Sequence, residues 1–177
     1  MDSQKKSLSV NFGIAIGIIY CVLIFCQNQF FYSNPLGFSL SKILCYLLIV
    51  GGFFYSGYTI RKKSAGYISF KDCLGSLLIV IVITELFYVI FSTIYIKYID
   101  PTFIEKLKSS WHSYYISHNI PQDKTDSTID NFKEARKITI GTLVQSFGFG
   151  VIIDAIFGVI ISAVLKKIKP EFENQIS

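Results

Sequence analysis

Two carboxylic acids, Glu85 and Asp154, stand inside long apolar stretches, and their chemistry is the first feature of the sequence to explain. Each is separated by more than ten residues from the nearest charged residue on either side. A charged side chain at the depth of a lipid bilayer costs several kcal/mol. Such groups therefore usually face the interior of a helix bundle and often mark a proton or ion pathway.

The depths of these acids can be compared if both lie on membrane-spanning helices. Counted from the same membrane side at 1.5 Å per residue, Glu85 lies about 18 Å and Asp154 about 17 Å deep, and Tyr20 reaches a similar height. Two neighbouring acids can share a proton, so Glu85, Asp154 and Tyr20 form a candidate intramembrane ionisable site. The alternative is a neutral pair, or a bond to the tyrosine hydroxyl, that only fixes helix packing.

Asp154 also belongs to a stripe of small residues at four-residue spacing. Small residues at this spacing let two membrane helices approach closely. The stripe consists of Ser146, Gly150, Gly158 and Ser162 around the acid, and the first apolar segment carries a matching pair, Gly13 and Gly17. We expect close packing of the first and fourth spans, or of two protomers, through these faces.

The elements that position these residues are predicted by the composition. Of 177 residues, 51% are hydrophobic and only 16% charged, whereas a soluble domain carries about a quarter charged residues. This excludes a soluble enzyme, a nucleic-acid-binding module and a disordered chain. Four segments are long enough to cross a 30 Å bilayer as helices, and they are too continuous for barrel strands. These segments run over residues 8–31, 43–60, 73–96 and 138–165, so the chain (1–177) is predicted to be one all-α, four-helix transmembrane domain.

The basic residues predict how the helices are oriented. Lys5 and Lys6, the loop 61–72 and the tail from Lys166 are rich in Lys and Arg, whereas the connection 32–42 carries only Lys42. Segments of this kind stay in the cytoplasm, so both termini are expected inside. The segment 97–137, with seven basic and six acidic residues, is expected outside.

This external segment is predicted to form an amphipathic helical hairpin. Asp100-Pro101 is a good helix start, because Asp caps free amides and Pro loses no bond at the first position. Apolar and aromatic residues then recur at three- and four-residue steps, at Phe103, Ile104, Leu107, Trp111, Tyr114 and Tyr115, which suits a membrane surface or the mouth of a bundle. A second helix is expected from about Asp126 or Ser127. The hairpin is interpreted as a lid, a docking surface or a solvated spacer.

Nothing in the sequence predicts a cofactor, a metal or a catalytic arrangement. His112 and His118 are six residues apart and do not share a helix face, and no cluster of acids or cysteines completes a metal site. The four cysteines lie in or at the ends of the spans without a Cys-x-x-Cys pair, so disulfides are not expected. We therefore expect a protein that is not an enzyme and binds no nucleic acid.

Three short segments resemble a known family, the bacterial inner-membrane proteins grouped as domain of unknown function forty-one ninety-nine. They are Gly66-Tyr67-Ile68-Ser69-Phe70, the run from Ile161 to Lys167, and the charged helix after Asp100-Pro101, and the layout of the spans agrees over about residues 9–169. The resemblance implies a four-helix protein of the inner membrane of Gram-negative bacteria of the Bacteroidetes type. It implies no catalytic residues.

Three functional hypotheses follow. The first is a non-enzymatic accessory or scaffolding component, acting through helix packing and the external hairpin, with lipid and a second copy or another membrane protein as partners. The second is a small proton- or ion-coupled transporter or oligomeric channel that uses Glu85 and Asp154. The third is a membrane enzyme acting on lipid.

Overall fold

The computed structural model describes residues 3–120 and 138–168, and this part of the chain is helical. Its elements are α1 (Ser3–Phe30), α2 (Pro35–Lys63), α3 (Phe70–Ile94), α4 (Phe103–Ser117) and α5 (Ile140–Leu165). A π-helical turn, Tyr95–Ile99, extends α3. Four of these helices, α1, α2, α3 and α5, are long and apolar enough to cross a membrane, which is the layout of a multi-pass membrane protein.

The second span begins eight residues earlier than predicted. Asn34 caps α2 by accepting a hydrogen bond from the Gly37 amide at 3.1 Å, and Pro35 occupies the first helical position. Both residues favour a helix start here, because the side-chain oxygen satisfies a free amide and Pro has none to satisfy. The connection predicted over 32–42 is therefore wrong: Lys42 lies on the helix.

Helix α3 is the centre of the bundle, in contact with α1, α2 and α5. Its side chains Leu77, Val80 and Ile81 are fully buried, as expected for a helix that is apolar on every side. Burial of each such side chain contributes roughly 1.5–3 kcal/mol where the surroundings would otherwise be water. Between lipid-exposed helices close packing has to supply the stability instead.

The small residues provide that close packing, but not between the predicted helices. A Cβ on Gly13 would meet the Ile83 side chain, and one on Gly17 would meet Phe87, both on α3. Gly158 likewise faces Ile81 of α3. The expected packing of the first span against the fourth is therefore wrong, because α3 receives both glycine faces. Packing between two protomers stays a prediction.

One end of the bundle, named here the basic end, carries Lys5, Arg61 and Lys167. Ile68 and Lys167 exchange two backbone hydrogen bonds of 2.8 and 2.9 Å, which ties the α2–α3 loop to the end of α5. Arg61 adds a hydrogen bond of 3.4 Å to the Leu165 carbonyl. Two of the three segments that carry the family resemblance therefore meet in space.

Helix α4 covers the opposite end, named here the α4 end. It begins at Phe103, two residues later than Asp100-Pro101 predicted, because Asp100 accepts hydrogen bonds from the Thr102 amide (3.1 Å) and hydroxyl (2.6 Å) in a tight turn. Its predicted apolar face is the buried one: Phe103, Ile104 and Leu107 pack under Tyr95, and Trp111, Tyr114 and Tyr115 follow half-buried. The second arm of the hairpin lies outside the described residues.

Candidate functional site

The structure brings the carboxyl groups of Glu85 and Asp154 together in the middle of the bundle. Glu85 on α3 is 4% exposed and Asp154 on α5 is 1% exposed. Among the described residues, neither acid forms an ion pair; the ion pairs there are Lys5–Asp72 and Lys106–Asp100. Two adjacent buried carboxyl groups are costly when both are charged, and this cost favours binding of a proton by the pair.

Tyr46 of α2 fixes the position of Asp154. Its hydroxyl donates a hydrogen bond of 2.6 Å to Asp154 Oδ1. The second oxygen, Oδ2, is buried and receives no hydrogen bond from the described residues. Since buried polar atoms are normally paired, Oδ2 is the atom at which a proton shared with Glu85 would act.

Two further tyrosines complete this polar cluster. Tyr20 of α1 stacks on Tyr88 of α3, with ring centroids 5.1 Å apart and planes 17° apart. Tyr88 lies three residues after Glu85, on the same face of α3. The carboxyl–tyrosine cluster (Tyr20, Tyr46, Glu85, Tyr88 and Asp154) therefore joins all four spans at one level.

Gly150 makes room for this arrangement. A Cβ at this position would collide with the Glu85 carboxyl group. The glycine one turn before Asp154 is therefore needed for Glu85 to reach its partner, beyond any role in helix–helix approach. Ser162 instead bonds to the Gly158 carbonyl of its own helix (2.7 Å), and Ser146 lines a groove between α3 and α5.

A cavity of about 340 Å³, named here the α4 cavity, lies between the cluster and the α4 end. Helices α1, α2 and α3 form its walls, and Phe103, Ile104 and Leu107 of α4 cover it. The walls carry the polar groups of Tyr20, Gln27, Asn28, Lys42, Cys45, Tyr88 and Ser92, and the apolar groups of Ile24, Phe38 and Ile96. The floor of the cavity thus includes Tyr20 and Tyr88, two members of the carboxyl–tyrosine cluster.

Polar residues lead from this cavity to the acids along two helices. On α2, Lys42 lines the cavity, and Tyr46, one turn deeper, donates to Asp154. On α3, Ser92 and Tyr88 line the cavity, and Glu85 follows one turn deeper. Residues three or four apart share a helix face, so both lines face the same interior. Hydroxyl groups along such lines can accept and donate protons.

The cluster consists of carboxyl and hydroxyl groups, which can accept and donate protons. Among the described residues, no group of three or more His, Cys, Asp or Glu side chains is placed to hold a metal ion. His112 and His118 are both exposed on or just after α4. The four cysteines are free thiols, and Cys73 is buried at the start of α3.

Sequence reasoning missed Lys42, Tyr46 and Tyr88. Lys42 falls in the predicted connection 32–42, although Asn34-Pro35 signals a helix start. Tyr46 and Tyr88 were hidden among ordinary aromatic residues. Their signal is spacing: Tyr46 lies four residues after Lys42, and Tyr88 three after Glu85.

Comparison with known proteins places the chain in a family. A family model described as "Protein of unknown function (DUF4199)" matches residues 11–167, which is most of the chain. The chain belongs to the DUF4199 family. The match spans all four long helices of this DUF4199 protein, as the short motifs indicated. No curated protein and no solved structure matches the DUF4199 chain.

Proposed function

We propose that this protein is a small proton-coupled membrane carrier in which the Glu85–Asp154 pair binds the proton. The observation that carries the proposal is the polar route from the α4 cavity through Tyr88 and Tyr46 to the two acids. A packing contact needs no such route. Proton transport needs buried acids that can be reached from one side.

The α4 end is proposed to face the outside of the cell, with both termini in the cytoplasm. The basic end carries Lys5, Arg61, Lys62 and Lys63, and such residues are retained inside. The α4 cavity would then lie on the outer side of the acids, beneath α4. On the other side of the acids, the fully buried side chains of Phe53, Leu77 and Ile81 form a dry layer. Passage through this layer requires a helix movement.

A proton flux assay tests the proposal. The full chain is reconstituted into vesicles that contain a pH-sensitive dye, and a pH gradient and membrane potential are imposed. We expect proton uptake above that of empty vesicles, and a loss of about tenfold in Glu85→Gln. The Gln amide keeps the size of the side chain and can donate to Asp154, so the fold should persist while the exchangeable proton is lost.

The matched control is Asp72→Asn, which removes a carboxyl at the basic end, 3.7 Å from Lys5. Its flux should equal that of the unmodified protein. Flux that is the same in Glu85→Gln, Asp154→Asn and the unmodified protein would exclude the acids as a proton site.

A non-enzymatic accessory or scaffolding role is the second candidate. It is favoured by the near-complete burial of both acids and by the way the carboxyl–tyrosine cluster joins four helices. In that role the protein conducts no protons, and Glu85→Gln would change thermal stability or the recovery of a co-purified membrane protein. Size measurement in nanodiscs distinguishes a single copy from an oligomer.

A further inference from the structure

The α4 cavity contains a cationic group, Lys42, that forms no ion pair with any of the described residues. Lys42 lies seven residues into α2, about 10 Å along the helix axis from its start. Among the described residues, the ion pairs involve Lys5 and Lys106, so no acid neutralises Lys42 there. The Lys42 side chain is exposed and lines the cavity, so its ammonium group can pair with an anion bound there, and no described acid competes for it.

The other polar groups of the wall suit the same kind of ligand. Gln27 and Asn28 are at most 9% exposed and line the cavity. The Gln27 amide donates one weak hydrogen bond of 3.4 Å to the Phe38 carbonyl. Side-chain amides have two N–H groups, so both residues retain donors for an acceptor oxygen beside Lys42.

The size and apolar area of the cavity define the rest of the ligand. Its volume of about 340 Å³ lies at the lower end of the range for small-molecule sites, roughly 300–1,000 Å³. Phe38, Phe103 and Leu107 contribute apolar surface that a bare inorganic ion would leave uncovered. The cavity wall carries one cationic group, Lys42, which matches a ligand with one negative charge better than a ligand with two.

We propose that the α4 cavity binds a small organic monocarboxylate with an apolar or aromatic body, its carboxylate at Lys42 and its body against Phe38, Phe103 and Leu107. The assignment of this ligand as the carried substrate rests on the proposed function. Binding of the carboxylate itself does not require transport.

The test is calorimetric titration of the full chain in nanodiscs with benzoate. Benzyl alcohol has the same ring without the charge, benzylamine reverses the charge, and inorganic phosphate lacks the apolar body. We expect benzoate to bind at least about tenfold more tightly than each of these three probes. Equal binding of benzoate and benzyl alcohol would overturn the proposal, because the ring alone would then explain the affinity.

Variants locate the site. Lys42→Gln should weaken benzoate binding about tenfold, whereas Lys97→Gln, which removes an exposed lysine of the π-helical turn that does not line the cavity, should have no effect. If Lys42→Gln does not fold, Asn28→Asp provides the same test, since it places a nearly isosteric negative charge in the wall. Equal affinity in the cavity variant and in Lys97→Gln would refute the site.

A long-chain fatty acid is the competing source of the same carboxylate. Stronger binding of a 16-carbon acid than of benzoate, lost in Lys42→Gln and absent from empty nanodiscs, would show that the site takes membrane lipid, and would overturn the small-molecule assignment. If Glu85→Gln still binds benzoate, and neither the unmodified protein nor any variant shows proton flux, the carrier proposal is refuted and the binding-site proposal is supported. Proton flux without benzoate binding would refute the site alone.

Discussion

At the scale of single residues, the most informative position is Gly150, because the Glu85 carboxyl occupies the space of its missing side chain. Gly150→Ala should force Glu85 away from Asp154. We expect a loss of roughly 1–3 kcal/mol of stability, the usual cost of overpacking a core. The measurement is thermal or denaturant unfolding of the purified protein in detergent.

Gly148 is the matched control for this prediction. It lies two residues earlier on α5, and a Cβ there would meet no atom within 4 Å. Gly148→Ala should be neutral or slightly stabilising, since Ala is the better helix former. Equal effects of the two substitutions would show that Glu85 does not depend on Gly150.

At the scale of single elements, the attachment of α4 depends on a short ionic turn. Asp100 accepts a hydrogen bond of 2.8 Å from Lys106, and Lys106 together with Thr102 holds the pKa of Asp100 below its ordinary value. A carboxyl with a lowered pKa stabilises the folded form when it is deprotonated. This stabilisation is complete above the unfolded pKa of about 4 and is lost as the pH falls through the lowered value.

We therefore expect α4 to loosen in acid. Trp111 is the only tryptophan in the sequence and lies on α4, half-buried beside Tyr115. Its fluorescence should shift to the red as the pH falls below about 4, and Asp100→Asn should show part of that shift at neutral pH. The effect should stay within about 1 kcal/mol, because Lys106 is largely exposed.

Lys108→Gln serves as the control for α4, since it removes a neighbouring lysine that does not bond to Asp100. Its emission should follow that of the unmodified protein. An Asp100→Asn spectrum that equals the unmodified one at every pH would show that the turn does not hold α4.

At the scale of the whole molecule, the basic residues predict which way the bundle faces in the membrane. We expect the α4 end outside, because basic residues concentrate at the other end. In a variant without the four native cysteines, Ser113→Cys should react with a membrane-impermeant maleimide in intact cells. Lys62→Cys should react only after the cells are permeabilised. The reverse pattern would invert the topology and place the α4 cavity on the cytoplasmic side.

For α2, the sequence predicts the presence of the helix but not its start. The apolar composition predicted a helix, and the structure confirmed it. The predicted span begins after Lys42, at residue 43. The local capping signal of Asn34-Pro35 starts it eight residues earlier. A single lysine can be carried inside a helix end when it faces a polar cavity, and such a cavity is not visible in the sequence.

The sequence by itself determined that the chain lies in lipid and that its long apolar segments are helices. Apolar runs of about 20 residues satisfy their backbone hydrogen bonds in lipid only as helices. It also singled out Glu85, Asp154 and Tyr20, since polar groups are conspicuous in an apolar run. Only the tertiary structure decided which helices meet. Glycine faces fit any closely packed partner, and α3 rather than α5 receives the face of α1. The same packing created the α4 cavity and placed Lys42 in its wall.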